Sequence, residues 1–342
     1  MINVKRAFSS FSIIRINFFI FAALAILVAF TACSGKGDPI GKTWTPVENS
    51  TFNGDFIYRI AFGNDTFVAV GDKGKIARST DNGKTWTAIA PADCAFNSNE
   101  QICSIAFGNN TFIAGGGFGT MARSTDNGKT WELIAPMDNT FGHNDVFSIA
   151  FGNNTFVAVG YNGKMAYSTD SGLTWEPIAP ADSIFGDGMI FSNVFAGNTF
   201  IAGEAFGKMA SSADGKTWAA IAPVDSSFSS DDIILSIAFG GDAFVAGGGF
   251  GRIGRSTNGA SWTHIADSTY GSDEHIYSIA FGNNTFIAVG SNGKIALSAD
   301  GASWSSVEKS TFGKERINGA AFGNNTFVAV GANGKIACSA GK

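Results

Sequence analysis

A chain of 342 residues with 44 glycines, 32 phenylalanines and only 15% charged side chains is too apolar for disorder. It is long enough for one large domain or two ordinary ones. Its formal charge of −5 excludes the clustered Lys and Arg that a phosphate backbone requires, so nucleic acid is not an expected partner.

The first element is a targeting segment. Lys5, Arg6 and Arg15 lead into the run "FFIFAALAILVAFTA", which ends at Ala32 and is too short to span a bilayer as a helix. The next residue is Cys33. Small residues before a Cys at the end of such a run resemble the lipobox of bacterial lipoproteins, with Phe30 where that family usually has Leu. The resemblance implies a signal peptide over 1–32, acylation of Cys33 as the first mature residue, and a short linker over 33–42. Ordinary secretion with cleavage near Ala32 is the alternative. Removing residues 1–32 takes the charge from −5 to −8. The membrane link expected is therefore the lipid on Cys33 rather than a basic surface, and the compartment is the cell envelope, periplasmic or outer surface.

From residue 43 onward the sequence repeats. Variants of "IAFGNNTFVAVG" place their first Phe at 62, 107, 151, 195, 239, 281 and 322. Each unit reads as four short strands; in the third they are "VFSIAFG", "TFVAVG", "KMAYST" and "LTWEPIA". Alternating apolar and small residues suit half-buried strands, and Asn-Asn, Asn-Gly and Asp-Gly suit tight hairpins. Four strands every 40 to 45 residues predict a β-propeller blade. Seven tryptophans, Trp44, Trp86, Trp131, Trp175, Trp218, Trp262 and Trp304, mark the fourth strands. Trp44 precedes the first full repeat, and the last repeat stops at "IACSAGK" without its Trp. The expectation for 43–342 is thus an all-β, seven-bladed propeller of four-stranded antiparallel blades, its ring closed by "GKTWTPV" pairing with the last blade.

The phrase "STDNGKTW" at 79–86 recurs unchanged at 124–131, with "STDSGLTW" at 168–175. Shorter forms stand at 212–218, 256–262 and 298–304. This pattern resembles the Asp box, or bacterial neuraminidase repeat, which in that family turns the chain between third and fourth strands on the face opposite the ligand site. The carboxylates are accordingly read as turn chemistry, and the "NNT" triplets as first-hairpin turns rather than glycosylation sites.

Sialidases are Asp-box enzymes that use three arginines, a Tyr nucleophile and acidic partners. Tyr58-Arg59-Ile60-Ala61 is similar to their first arginine motif without its Pro. Arg59 also stands where other repeats have Ser104, Ser148, Ser192, Ser236, Ser278 and Gly319. Arg252, Arg316, Tyr277 and Glu274 are the residues available for the remaining roles, although no motif assigns them. His143, His264 and His275 lack ligand spacing, and no Walker or Gly-x-Ser-x-Gly motif occurs, so no metal or cofactor is expected.

Departures from the chain's own repeat mark a second candidate site. The turn between second and third strands reads "DKG", "YNG", "SNG" and "ANG" in four blades, but carries Phe118, Phe206 and Phe250 in blades two, four and five, with Tyr161 in blade three. These aromatics suit a sugar ring or a peptide side chain. In the alternative, each Phe folds back over Gly115, Gly203 or Gly247, where other blades have Val. Phe52, Phe96, Phe141, Phe185, Phe228, Tyr270 and Phe312 recur at one place and are read as blade-to-blade packing. An acidic rim follows them (Asp145, Asp187, Asp231, Asp232, Asp273, Glu274), with Lys314 and Arg316 in blade seven. Cys94 and Cys103 are weighed as a local disulfide, against Cys103 as a core residue in the place of Phe147 and its equivalents.

The expected function is a monomeric, membrane-anchored, non-enzymatic platform for an envelope protein or a glycan. The photosystem II assembly factors, Asp-box propellers that this chain also resembles, give precedent for such a role. A sialidase-like hydrolase centred on Arg59 and a structural surface protein without a defined ligand are the alternatives.

Overall fold

The computed structural model describes residues 40–134, 140–179, 184–221 and 228–340. The leader 1–32 and Cys33 lie outside the described residues. Seven four-stranded antiparallel sheets form the described chain, each built from consecutive strands except the last. Blade three runs through Val146–Gly152, Thr155–Gly160, Met165–Ser168 and Glu176–Pro177. Fourth strands are only two or three residues long and largely exposed, so they offer little edge for unwanted pairing. No helix among the described residues is long and apolar enough to cross a membrane.

The last blade takes Ile317–Gly323, Thr326–Gly331 and Ile336–Ala340 from the C-terminal end and Thr45–Pro46 from the N-terminal end. Thr45 pairs with Cys338 and Pro46 with Ala337, which closes the ring as the missing eighth Trp implied. The ring begins earlier than residue 43. Ile40 is buried, and the Gly41 N–H donates to Ser339 Oγ at 2.9 Å.

That last bond explains the Asp boxes. In the first, Ser79 Oγ accepts the Gly83 N–H, Asp81 accepts the N–H and hydroxyl of Thr85, and Trp86 donates to Gly83 O. Asn258 does the same work in blade five. At the junction of the termini, Ser339, Gly41 and Trp44 reproduce the Ser, Gly and Trp of a seventh box, with Trp44 Nε1 donating to Gly41 O at 2.7 Å. The box is therefore cut by the chain ends and reassembled without a covalent link. In the hairpins on the same face, Asn109, Asn110, Asn153 and Asn154 all take positive φ, the conformation such turns require.

Two ladders join blade to blade. The Gly that ends each first strand, except Ala196 in blade four, faces the Phe ring of the next blade. A Cβ on Gly63, Gly108, Gly152, Gly240, Gly282 or Gly323 would sit within 2.2 Å of Phe107, Phe151, Phe195, Phe281, Phe322 or Phe62. The second ladder uses the inner-strand serines: Ser148, Ser192, Ser236 and Ser278 each accept an N–H from the following blade, from Asn193, Ile237, Ile279 and Ala320.

Candidate binding face

Every first strand carries a β-bulge near its start, leaving one extra residue outside the ladder: Tyr58 in blade one, Phe147 in blade three, Leu235 in blade five. The bulged residues of six blades, Tyr58, Cys103, Phe147, Phe191, Leu235 and Tyr277, touch one another in a single buried cluster. They come from the first strands of six blades and are buried from solvent, and together they form an apolar plug between those strands. Cys103 belongs to this plug and is a free thiol, as is Cys94, whose Sγ donates to Gly74 O. The disulfide weighed from sequence is not formed; the core position prevails, and burial pushes the Cys103 thiol well up.

Around the plug, on the face opposite the Asp boxes, stand the aromatics that depart from the repeat. Phe118 is 64% exposed, Phe250 49%, Tyr161 40% and Phe206 39%. None folds back over the glycine of its strand. The space above Gly115 is filled by Val146 and Ile149 of the next blade, that above Gly203 by Ile234, and that above Gly247 by Ile276 and Ile279. The packing alternative is thereby corrected. The recurrent Phe52 series is buried as expected, Phe52 itself lying between Gly71 of blade one and Gly334 of blade seven.

Phe118 and Phe250 hold left-handed backbone, with φ 57° and ψ 27° and with φ 57° and ψ 29°. Their counterparts are Lys73, Asn162, Asn292 and Asn333 in the same conformation. Asn tolerates it readily, whereas a bulky side chain pays about 1–2 kcal/mol. Asp145 supports the first of these turns by accepting the Phe118 N–H at 3.1 Å, and burial holds its carboxyl above the usual range.

Residues that sequence reasoning did not group as one repeat position complete the face, although Asp145, His275 and Arg316 were each named for other reasons. Each blade contributes one side chain just ahead of its first strand, at Phe56, Gln101, Asp145, Met189, Ile233, His275 and Arg316. Phe250, His275 and Tyr277 form successive ring contacts at 6.1 and 5.8 Å. The Arg316 guanidinium lies over both Tyr277 and Phe56, at 5.1 and 5.3 Å from the ring centroids. Tyr161 meets the plug edge-on at Phe147. The signal was present as variability at one repeat position, but a single residue before a strand has no motif to announce it.

Arg59 does not join this face. It is buried, and its Nη1 donates to Tyr58 O at 2.8 Å and Asn318 O at 2.6 Å, while Asn318 Nδ2 donates back to Ile57 O. Blade seven has Gly319 where a ladder Ser would stand, and Arg59 fastens that seam instead. The other residues weighed for a sialidase site are also engaged: Arg252 with Asp232, Glu274 with Lys294, and Tyr277 against His275 and Arg316. Several acids of the rim thus hold turns and cations within their own blades. No cluster of metal-ligating side chains occurs among the described residues.

Residues 39–179, spanning blades one to three, match the family model described as photosynthesis system II assembly factor YCF48. No curated protein matches the chain significantly in sequence. Among solved structures, YCF48 bound to D1 peptide is similar with a TM-score of 0.70 and 18% identity, over 89% of this chain and 97% of that one. YCF48 from Cyanidioschyzon merolae gives 0.68 and 21%, over 87% and 98%. The GH74 xyloglucanase from Xanthomonas campestris gives 0.65 and 16%, over 86% of this chain and 53% of the enzyme. At such identities the likeness of structures shows the fold, which catalytic and non-catalytic proteins share. The chain is a seven-bladed Asp-box β-propeller, similar over its first three blades to the photosystem II assembly factors.

Proposed function

We propose that this propeller is a non-catalytic platform that binds a segment of another protein on its aromatic face. The observation that carries the reading is the presentation of Phe118 and Phe250 to solvent in strained, left-handed turns. Strain retained without a packing return is characteristic of functional positions. Around them the plug supplies an apolar floor, and Arg316 supplies a cation held over two aromatic rings at its edge. A peptide with an aliphatic or aromatic side chain and a polar neighbour suits this combination. The D1 peptide bound to YCF48 lends precedent. We further propose that Cys33 is acylated, which would hold the platform at the membrane of the cell envelope.

The test is binding of the chain to arrays of overlapping peptides from envelope proteins, alongside a panel of neutral and sialylated glycans. Peptide binding that falls at least tenfold in a Phe118→Asn/Phe250→Asn variant supports the reading; a loss of about 1.4 kcal/mol per tenfold is within reach of two aromatic anchors. Peptide binding indifferent to both residues, or binding of glycans alone, overturns it. Labelled fatty acid incorporated by the wild type and lost in Cys33→Ala tests the anchor.

A further inference from the structure

Of the seven side chains that lead into the first strands, Asp145 is the one acid. It ties together two aromatics on adjoining blades. Its Oδ1 accepts the Phe118 N–H of blade two at 3.1 Å, and its main-chain O accepts the Tyr161 N–H of blade three at 3.0 Å. Both rings are exposed, so this carboxyl stands between two residues whose aromatic faces are open to solvent.

Five other acids here are matched within the chain. Asp55 holds Lys73 and Lys75, Asp232 holds Arg252, and Glu274 holds Lys294. Asp72 accepts the Tyr58 hydroxyl and the Phe56 N–H, and Glu100 accepts the Asn97 N–H and the Thr120 hydroxyl. Asp145 is different. Among the described residues its carboxyl has the Phe118 N–H and no ion pair. The residue after the glycine of the second-to-third turn is a cation in six blades, Lys75, Lys164, Lys208, Arg252, Lys294 and Lys335, but it is Thr120 in blade two. Lys164 of blade three lines a separate cleft with Asn162, Gly186 and Asp187. There is also room beside the carboxyl: a Cβ on Gly117 would meet only Asp145 Oδ1, at 3.5 Å, and Gln101 O, at 4.0 Å.

The chain itself shows what completes such an arrangement. In blade six, Lys294 Nζ sits 2.6 Å from Glu274 Oε2 and 5.0 Å from the centre of the Tyr270 ring. A cation between a carboxylate and an aromatic face is attracted by both, and more strongly as water is excluded. Between blades two and three the acid and the rings are in place and the cation is not. Burial disfavours the Asp145 charge with nothing positive to offset it, which an incoming cation would supply.

We propose that Asp145, Phe118 and Tyr161 form a subsite for a basic side chain, Lys or Arg, of the bound protein segment. The carboxylate takes the charge, and the two rings cover the methylene stem. The subsite rests on the reading of this face as a peptide platform and adds the charge of one anchor. It also gives the segment a direction, because Arg316 in blade seven repels the same side chain from that part of the face.

The probes are acetyl-Leu-Arg-Leu-amide, acetyl-Leu-Lys-Leu-amide and the neutral isostere acetyl-Leu-citrulline-Leu-amide, titrated into the chain isotopically labelled at phenylalanine nitrogen. The Phe118 amide resonance, identified by its loss in Phe118→Asn, is the reporter because its N–H bonds the carboxyl. At least one basic peptide should shift it saturably and bind about fivefold or more tightly than the citrulline peptide; which of the two binds better separates guanidinium from ammonium. Asp145→Asn, whose amide oxygen still accepts the Phe118 N–H, should erase the preference. Should that variant not fold, Asp145→Gln, which copies Gln101 at the same place in blade two, takes its part. A preference that survives loss of the charge overturns the subsite. Equal binding of all three peptides also overturns it and leaves the platform standing. No saturable shift from any of them overturns it as well, and the peptide arrays then judge the platform alone.

Discussion

Trp44→Ala tests whether the ring is held shut by the reassembled seventh box. Trp44 is 5% exposed. Nearly all of a side chain that buries about 150–250 Å² is therefore withdrawn from water. At about 25 cal/mol per Å² that is ~4–6 kcal/mol, and measured truncations of buried Trp cost about 3–5 kcal/mol. The same substitution removes the 2.7 Å bond to Gly41 O, which fixes the turn leading into Thr45–Pro46. A loss of about 3–5 kcal/mol is about a fifth or more of the stability of an ordinary domain. Urea unfolding measures it, with Trp86→Ala as the reference, since Trp86 is buried to a similar degree in an uninterrupted box. The two variants should lose similar stability. Only Trp44→Ala should become rapidly cut by protease near residues 40–50, because Trp86 is tethered on both sides. A loss below about 1 kcal/mol, or equal cleavage in both variants, would refute the closure argument.

Four further outcomes are expected. Phe118→Asn and Phe250→Asn should leave thermal stability within about 1 kcal/mol of the wild type, because relief of left-handed strain offsets the part of each ring that is buried; calorimetry showing a loss above about 3 kcal/mol would make these residues structural. Gly152→Ala should destabilise by about 1–3 kcal/mol in urea, since its Cβ would lie 1.9 Å from the Phe195 ring, and Phe195→Leu in the same chain should recover part of it. Arg59→Ala should lower the melting temperature without abolishing any hydrolysis, whereas sugar release that disappears with Arg59 would restore the enzyme reading. The Asp81, Asp126 and Asp170 carboxyls are held below their usual range by the N–H and hydroxyl donors of their boxes, opposed by partial burial. Such groups give stability that is present above the unfolded pKa and lost as pH falls through the folded one. Asp81→Asn, which copies Asn258, should flatten the acid limb of the melting curve below about pH 4; an unchanged limb would discount the box carboxylates.

The fold was legible because its physics repeats. A period of 41 to 45 residues, Gly and Asn at most left-handed turns, and a Trp missing from one end dictated blade number and closure. The site was legible only where it violated the repeat: Phe118, Tyr161, Phe206 and Phe250 stand out because their equivalents are Asn, Lys or small. Arg59 violated it as well, yet for structural reasons. Its partner is the carbonyl of Asn318, 259 residues later, and the loss of a Ser hydroxyl at the adjacent Gly319 becomes meaningful only when blades one and seven adjoin. The plug was hidden for a related cause. A bulge shifts one residue per strand into the plug, and alternation alone assigns Cys103 or Leu235 to an ordinary core face.

The contact of each terminal glycine with the next blade's Phe has a direction. One flank of a blade offers a socket and the other offers a ring, so the junction is heterologous, and it happens to close after seven units with Phe62 on Gly323. Any piece of the molecule must therefore carry one open socket and one open ring. Separately expressed halves, divided at an Asp box as the termini already are, have complementary ends and should reassemble into a full circle. A single half has only copies of itself to meet, and would add them head to tail. Closure is what separates this ring from a filament of its own blades.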